Sequence, residues 1–180
     1  MTTFATIELQ KAELLASIEH WPEHRLAFRP ARDAWCAIEV IDHVVKVESE
    51  VIIAARRGLR SPHPISARDR LGFFFLDRVF RSRTKVKVPR SATKVLPDRT
   101  CTLDLLRERW LDTRTELSRL LAHLEPAELE LGVFRHPVSG WMSVPQILRF
   151  FSAHLQHHGY QLDRVRAASE GDVHSMSGVA

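Results

Sequence analysis

Four stretches of this chain place apolar side chains every three or four residues, and that period constrains the fold more than any other feature. The first runs from about Thr3 to His20, with Phe4, Ile7, Leu14 and Ile18 on one stripe. The second runs from about Ala37 to Arg57 and carries Ile38, Ile41, Val44, Val45 and Ile52. The third, from about Thr102 to Leu124, steps through Leu103, Leu106, Trp110, Leu117 and Leu120, and Pro126 follows it. The fourth begins at Val144 and reaches about Ala168 through Ile147, Phe151, Leu155, Leu162 and Val165. Only 7 glycines occur in 180 residues, so little in the composition opposes helix. Strand patterning is poor: Val86 and Val88 alternate with lysines for a few residues only. Four amphipathic helices bury their stripes against one another most simply as an all-α four-helix bundle.

The helix starts agree with this division. Ser143 and Gln146 have capping-box spacing, and Cys36 and Glu39 repeat it with a thiol in place of the hydroxyl. A tryptophan, Trp35 or Trp141, precedes each and is expected to pin the chain's entry onto the bundle. Gly58 reads as a stop just beyond the second helix. The connection that follows is too long for a turn between antiparallel neighbours, so a long crossover between helices 2 and 3 is expected. Its part from Ala67 to Phe80 is apolar enough for a short helix, and the rest is basic and interrupted by proline. Residues 1–168 therefore form one bundle domain, with 169–180 a small, polar, frayed tail.

Charge and cysteine usage narrow the functional classes. Lysine and arginine number 26 against 22 acids, and the excess concentrates between Arg78 and Arg99. Eight cations there could neutralise phosphates, but no zinc-finger or other reader motif accompanies them, and aromatics suited to base stacking are missing. A solvated crossover loop is the simpler reading, and nucleic acid is disfavoured as a partner. No window resembles a membrane span, and the N-terminus has no basic region followed by an apolar core. Cys36 and Cys101 lack metal-binding spacing and read as reduced thiols of a cytoplasmic protein.

Among 10 histidines most fall in loops or at helix ends. His154 and His158 are one helical turn apart on the apolar side of the fourth helix, and His43 lies on an inward stripe of the second. His157 points toward the polar rim. Buried imidazoles without partners are costly, so inward histidines from two helices must serve either a hydrogen-bonded core or a shared cation. The i, i+4 pair with a third nitrogen from a facing helix makes a three-His metal face with open positions, but spacing alone does not choose between the two.

The motifs carry a resemblance. Trp35-Cys-Ala-Ile-Glu-Val-Ile-Asp-His43, His136-Pro-Val-Ser-Gly-Trp141 followed by Ser143-Val-Pro-Gln-Ile-Leu, and His154-Leu-Gln-His-His158-Gly-Tyr-Gln161 resemble, in order, three blocks of the DinB/YfiT-like superfamily. The resemblance implies a four-helix bundle with a crossover between helices 2 and 3, a divalent metal on His43, His154 and His158, and often a homodimer. Characterised relatives are transferases and isomerases that use low-molecular-weight thiols. Cys36 at a position usually held by Ser or Thr, and His157, which could compete with His158, are departures.

The resulting expectation is a metal-dependent S-transferase that activates a thiol or water for a small-molecule substrate. Zinc is the first choice of metal; nickel, iron or manganese also suit three imidazoles. Gln161 and, more weakly, Glu50 are candidate substrate contacts, and no residue is assigned as general base. A metal-dependent hydrolase is the alternative, as is a non-catalytic metal-binding stress protein or a nucleic-acid binder using residues 78–99.

Overall fold

A computed structural model describes residues 2–86, 88 and 92–177, with side chains through residue 171. Helices α1 (Phe4–Ala16), α2 (Glu23–Leu26), α3 (Ala37–Gly58), α4 (Ala67–Arg81), α5 (Leu103–Ala122) and α6 (Val144–Ser177) follow one another, with a hairpin of β1 (Phe134–His136) and β2 (Gly140–Met142) before the last. The fold is all-α: α1, α3, α5 and α6 are the four helices of the bundle. Helix α3 lies against α5 and α6, α1 lies against α6, and α4 packs on α6 from outside. The apolar stripes meet in one core in which Ile7, Val40, Ile41, Val44, Leu106, Trp110 and Phe151 are fully buried. Among the described residues no helix is long and apolar enough to cross a membrane.

The helix ends follow local chemistry. Thr3, Ser66 and Thr102 cap α1, α4 and α5 with their hydroxyls. The Cys36 N–H donates to Glu39 Oε2 at 3.1 Å, and the Ser143 N–H donates to Gln146 Oε1 at 2.9 Å, the glutamate and glutamine arms of the two expected boxes. The crossover holds the expected helix as α4, but its basic remainder includes Lys87 and Arg90, which lie outside the described residues. Some of its other cations are engaged: Arg81 by Asp77, Lys94 by Glu50, and Arg83 over the Tyr160 ring.

Four expectations need correction. Helix α1 ends at Ala16 instead of His20, and the short α2 forms separately after Pro22. Gly58 is the last residue of α3 instead of a stop beyond it, and a Cβ there would lie 1.8 Å from the Val133 carbonyl oxygen. Its value is close approach by the chain entering β1. His136, counted among the histidines in loops or at helix ends, instead ends β1 of a two-stranded hairpin over residues 134–142; Gly140 turns it at φ 82°, where a Cβ would also strike Asp69 Oδ1. The tail does not begin to fray at Ser169. Helix α6 continues to Ser177, with Ser169 buried and donating to the Arg166 carbonyl, and Glu170 facing Arg25 at 3.6 Å.

One polar network crosses the core. Glu48 of α3 is 0% exposed; its Oε1 accepts from Arg114 Nη2 and its Oε2 from Trp110 Nε1, each at 2.7 Å. Arg114 Nη1 also lies 3.5 Å from Glu8 Oε1, so α1, α3 and α5 share one buried ion cluster.

Candidate metal centre

Helix periodicity accounts for the first two imidazoles. His154 and His158 lie one turn apart on the buried side of α6, with their Nε2 atoms 3.0 Å apart. His43 projects from the facing α3, and its ring centroid lies 5.3 Å from that of His154 and 5.0 Å from that of His158. All three are buried, and one ring nitrogen from each lies within 4.8 Å of the others.

Hydrogen bonding orients two of these rings. His43 Nδ1 meets the Val95 carbonyl oxygen at 2.7 Å. A carbonyl only accepts, so the proton of neutral His43 sits on Nδ1 and the Nε2 lone pair is free. His158 Nδ1 likewise donates to Gln161 Oε1 at 2.9 Å, which frees its Nε2. His154 Nδ1 is buried without a hydrogen-bond partner. Burial drives His154 and His158 well below the ordinary imidazole range, and neighbouring imidazoles add to it; burial also lowers His43. Neutral rings with converging nitrogens are the donor set a divalent cation requires, and two of the three, His43 and His158, also have the outward N–H acceptors typical of ligating histidines. One proton shared across the His154–His158 contact leaves the third converging nitrogen, that of His43, without a role, whereas a cation would take all three, so the residues present fit a metal.

The crossover supplies the Val95 carbonyl, 52 residues along the chain from His43. Buried Asp42, beside His43 in sequence, anchors it: Asp42 Oδ2 accepts the Asp98 N–H and a 2.7 Å contact from Lys46 Nζ. Lys46 also donates to the Leu96 carbonyl at 3.0 Å. The polar side of α3 thus fixes the strap that orients its own histidine. Aromatic rings wall the cluster: Trp35 lies 4.8 Å from His43, and Phe80 and Phe150 each lie 5.4 Å from His154. Val95, Phe80 and Phe150 were not anticipated from sequence. The apolar 67–80 stretch marked Phe80 as a packing residue, but nothing local marks the Val95 carbonyl.

The remaining candidates separate clearly. Gln161, expected to contact substrate, has its amide oxygen engaged by His158 Nδ1. Glu50 is not brought to the cluster; it faces Lys94 at 3.8 Å with its side chain 43% exposed. His157 is buried, not turned to the polar rim, because α4 covers it and Phe80 sits edge-on at 5.3 Å. It lies outside the group of converging nitrogens. Trp35 packs where the chain enters α3, whereas Trp141 stacks on His63 at 4.0 Å beside the His63–Gly132 bridge.

Comparison with curated proteins and with solved structures returned no match. The sequence profile of the DinB superfamily matches residues 6–162.

Proposed function

The chain belongs to the DinB superfamily, and from that premise we propose that it is a divalent-metal-dependent S-transferase acting with a low-molecular-weight thiol. The observation that carries the reading is the convergence of His43, His154 and His158, with Val95 and Gln161 holding two of the rings. Three protein ligands leave coordination positions open, and zinc suits a set of neutral imidazoles. A metal bound there would lower the pKa of a coordinated thiol. The chain's own contributions are positioning and exclusion of water: buried histidines stay neutral, and Trp35, Phe80 and Phe150 keep the surroundings apolar. In the proposed reaction the thiol sulfur bonds to an electrophilic carbon and the thiol proton passes to solvent; with an epoxide or alkyl halide the bond from that carbon to its leaving oxygen or halide breaks, and with an activated alkene the π bond breaks and the neighbouring carbon takes up a proton from solvent. A cytoplasmic location belongs to this reading and accords with two free cysteines.

The test uses untagged protein, analysed for metal and then reconstituted separately with zinc, nickel, iron and manganese. Each form is offered several cellular thiols with epoxide, alkyl halide and activated-alkene electrophiles. Conjugate formation above the metal-free rate, lost on chelation, is the expected result; equal rates with and without metal across the panel would sink the proposal.

A homodimer is the second part of the proposal. Helix α4 leaves Leu71, Phe74, Phe75 and Val79 exposed on one side, at helical spacing, and an isologous interface lays such a stripe against itself. Light scattering is expected to show a dimer for the parent and a folded monomer for a Phe74→Glu/Phe75→Glu variant. A monomeric parent contradicts it.

A further inference from the structure

The contact between the hairpin turn and α4 builds a cleft that the metal reading does not use. Its volume is about 540 Å³, within the usual range of small-molecule sites, and Arg68, Asp69, Arg135, His136, Ser139 and Trp141 line it. Its one carboxylate is already committed. Asp69 Oδ2 accepts from the Ser66 N–H at 2.9 Å and from Ser66 Oγ at 2.6 Å, while Oδ1 accepts the Trp141 N–H at 3.1 Å. Both arginines are exposed and neither lies within ion-pair distance of an acid among the described residues, although the charge of Arg135 also acts on Asp69.

His136 adds a neutral donor. Its Nδ1 accepts the Val138 and Ser139 N–H groups at 3.2 and 3.3 Å, which puts the proton of the uncharged ring on Nε2. Burial lowers its pKa to about 4, so the ring stays uncharged near neutral pH. Ser139 is 3% exposed, and its hydroxyl oxygen has no hydrogen-bond partner among the described residues. Unsatisfied buried hydroxyls are uncommon and call for an explanation. Two exposed guanidiniums and an imidazole N–H on the residues lining one concavity are a donor set for an oxyanion, because guanidinium binds carboxylate and phosphate through paired N–H bonds.

We propose that this cleft binds a small ligand through a carboxylate or phosphate group held by Arg68, Arg135 and His136. The site stands apart from the metal ligands but adjoins them: the His136 ring lies 5.5 Å from Phe150, whose ring stacks on His154 at 5.4 Å. Binding here needs no metal and goes beyond the transferase reading.

Isothermal titration of the full chain, treated with chelator and held at low salt, tests this with inorganic phosphate and with succinate. Saturable one-to-one binding of at least one probe is expected; phosphate alone identifies a phosphorylated ligand, and succinate alone a carboxylate. An Arg68→Gln/Arg135→Gln variant is expected to weaken binding about tenfold or more, since charge-assisted hydrogen bonds are removed. An Arg32→Gln/Arg60→Gln control removes the same charge from exposed positions elsewhere and is expected to bind like the parent. His43→Ala is also expected to bind like the parent, whatever becomes of metal chemistry. The proposal is overturned if neither probe saturates, if the control pair weakens binding as much as the cleft pair, or if His43→Ala abolishes binding.

Discussion

Replacing His43, His154 or His158 by alanine is expected to remove most metal from the purified protein in each case, while the far-ultraviolet spectrum stays helical. A cation held by three imidazoles loses its tripod when one is deleted, because the two nitrogens left cannot fix its coordination. The fold survives because the core consists of apolar stripes: Val40, Ile41, Val44, Leu106 and Phe151 are buried whether or not a cation is present. Gln161→Leu removes the acceptor that orients His158 and is expected to lower metal affinity roughly 10- to 100-fold, the usual cost of losing a second-layer partner. His157→Ala is expected to keep the parental stoichiometry, since that ring is buried against Phe80 and outside the converging group. Elemental analysis with a competing chelator, beside circular dichroism, reads all five variants. Metal lost from His157→Ala but kept by His158→Ala would mean that the ligand register along α6 is wrong.

The largest loss of stability is expected from Arg114→Leu. It leaves the Glu48 carboxylate in the core with Trp110 Nε1 as its remaining hydrogen-bond donor, and breaking a buried ion pair on one side costs about 3–5 kcal/mol. Burial already raises the Glu48 pKa, against the opposing pull of Arg114 and Trp110. Removing the arginine raises it further. A carboxyl whose folded pKa exceeds its unfolded one favours folding most below the unfolded value, and loses that advantage as pH rises through the folded value. The deficit of Arg114→Leu relative to the parent should therefore be greatest near neutrality and shrink on acidification, as Glu48 takes up a proton. Urea unfolding at several pH values measures this, and Glu48→Gln/Arg114→Leu is expected to recover part of the loss at neutral pH. A deficit independent of pH would show that Glu48 is not the group left stranded.

What the sequence determined by itself is what depends on neighbours along the chain. The four stripes, the Thr and Ser caps and the His154–His158 pair all arise within a few residues, where the helical period dictates which side chains share a face. The same period put His43 on an inward stripe, and the ordered motifs added its implied role as a ligand and the family. Tertiary structure decided the rest because those contacts join segments with no local pattern in common. Gly58 reads as a helix stop until Val133 is seen against its backbone. The hairpin at 134–142 is too short to show alternation, and its place depends on Asp69 of α4 accepting the Trp141 N–H. His157 changed from rim to core because α4 folds over it, and residues beyond Ala168 stayed helical with Ser169 buried. Most consequentially, the tautomer that turns the His43 lone pair toward its partners depends on a backbone carbonyl, that of Val95. A carbonyl is present in every residue, so nothing in the sequence marks this one; only the path of the crossover, tied down by Asp42 and Lys46, brings it to the ring.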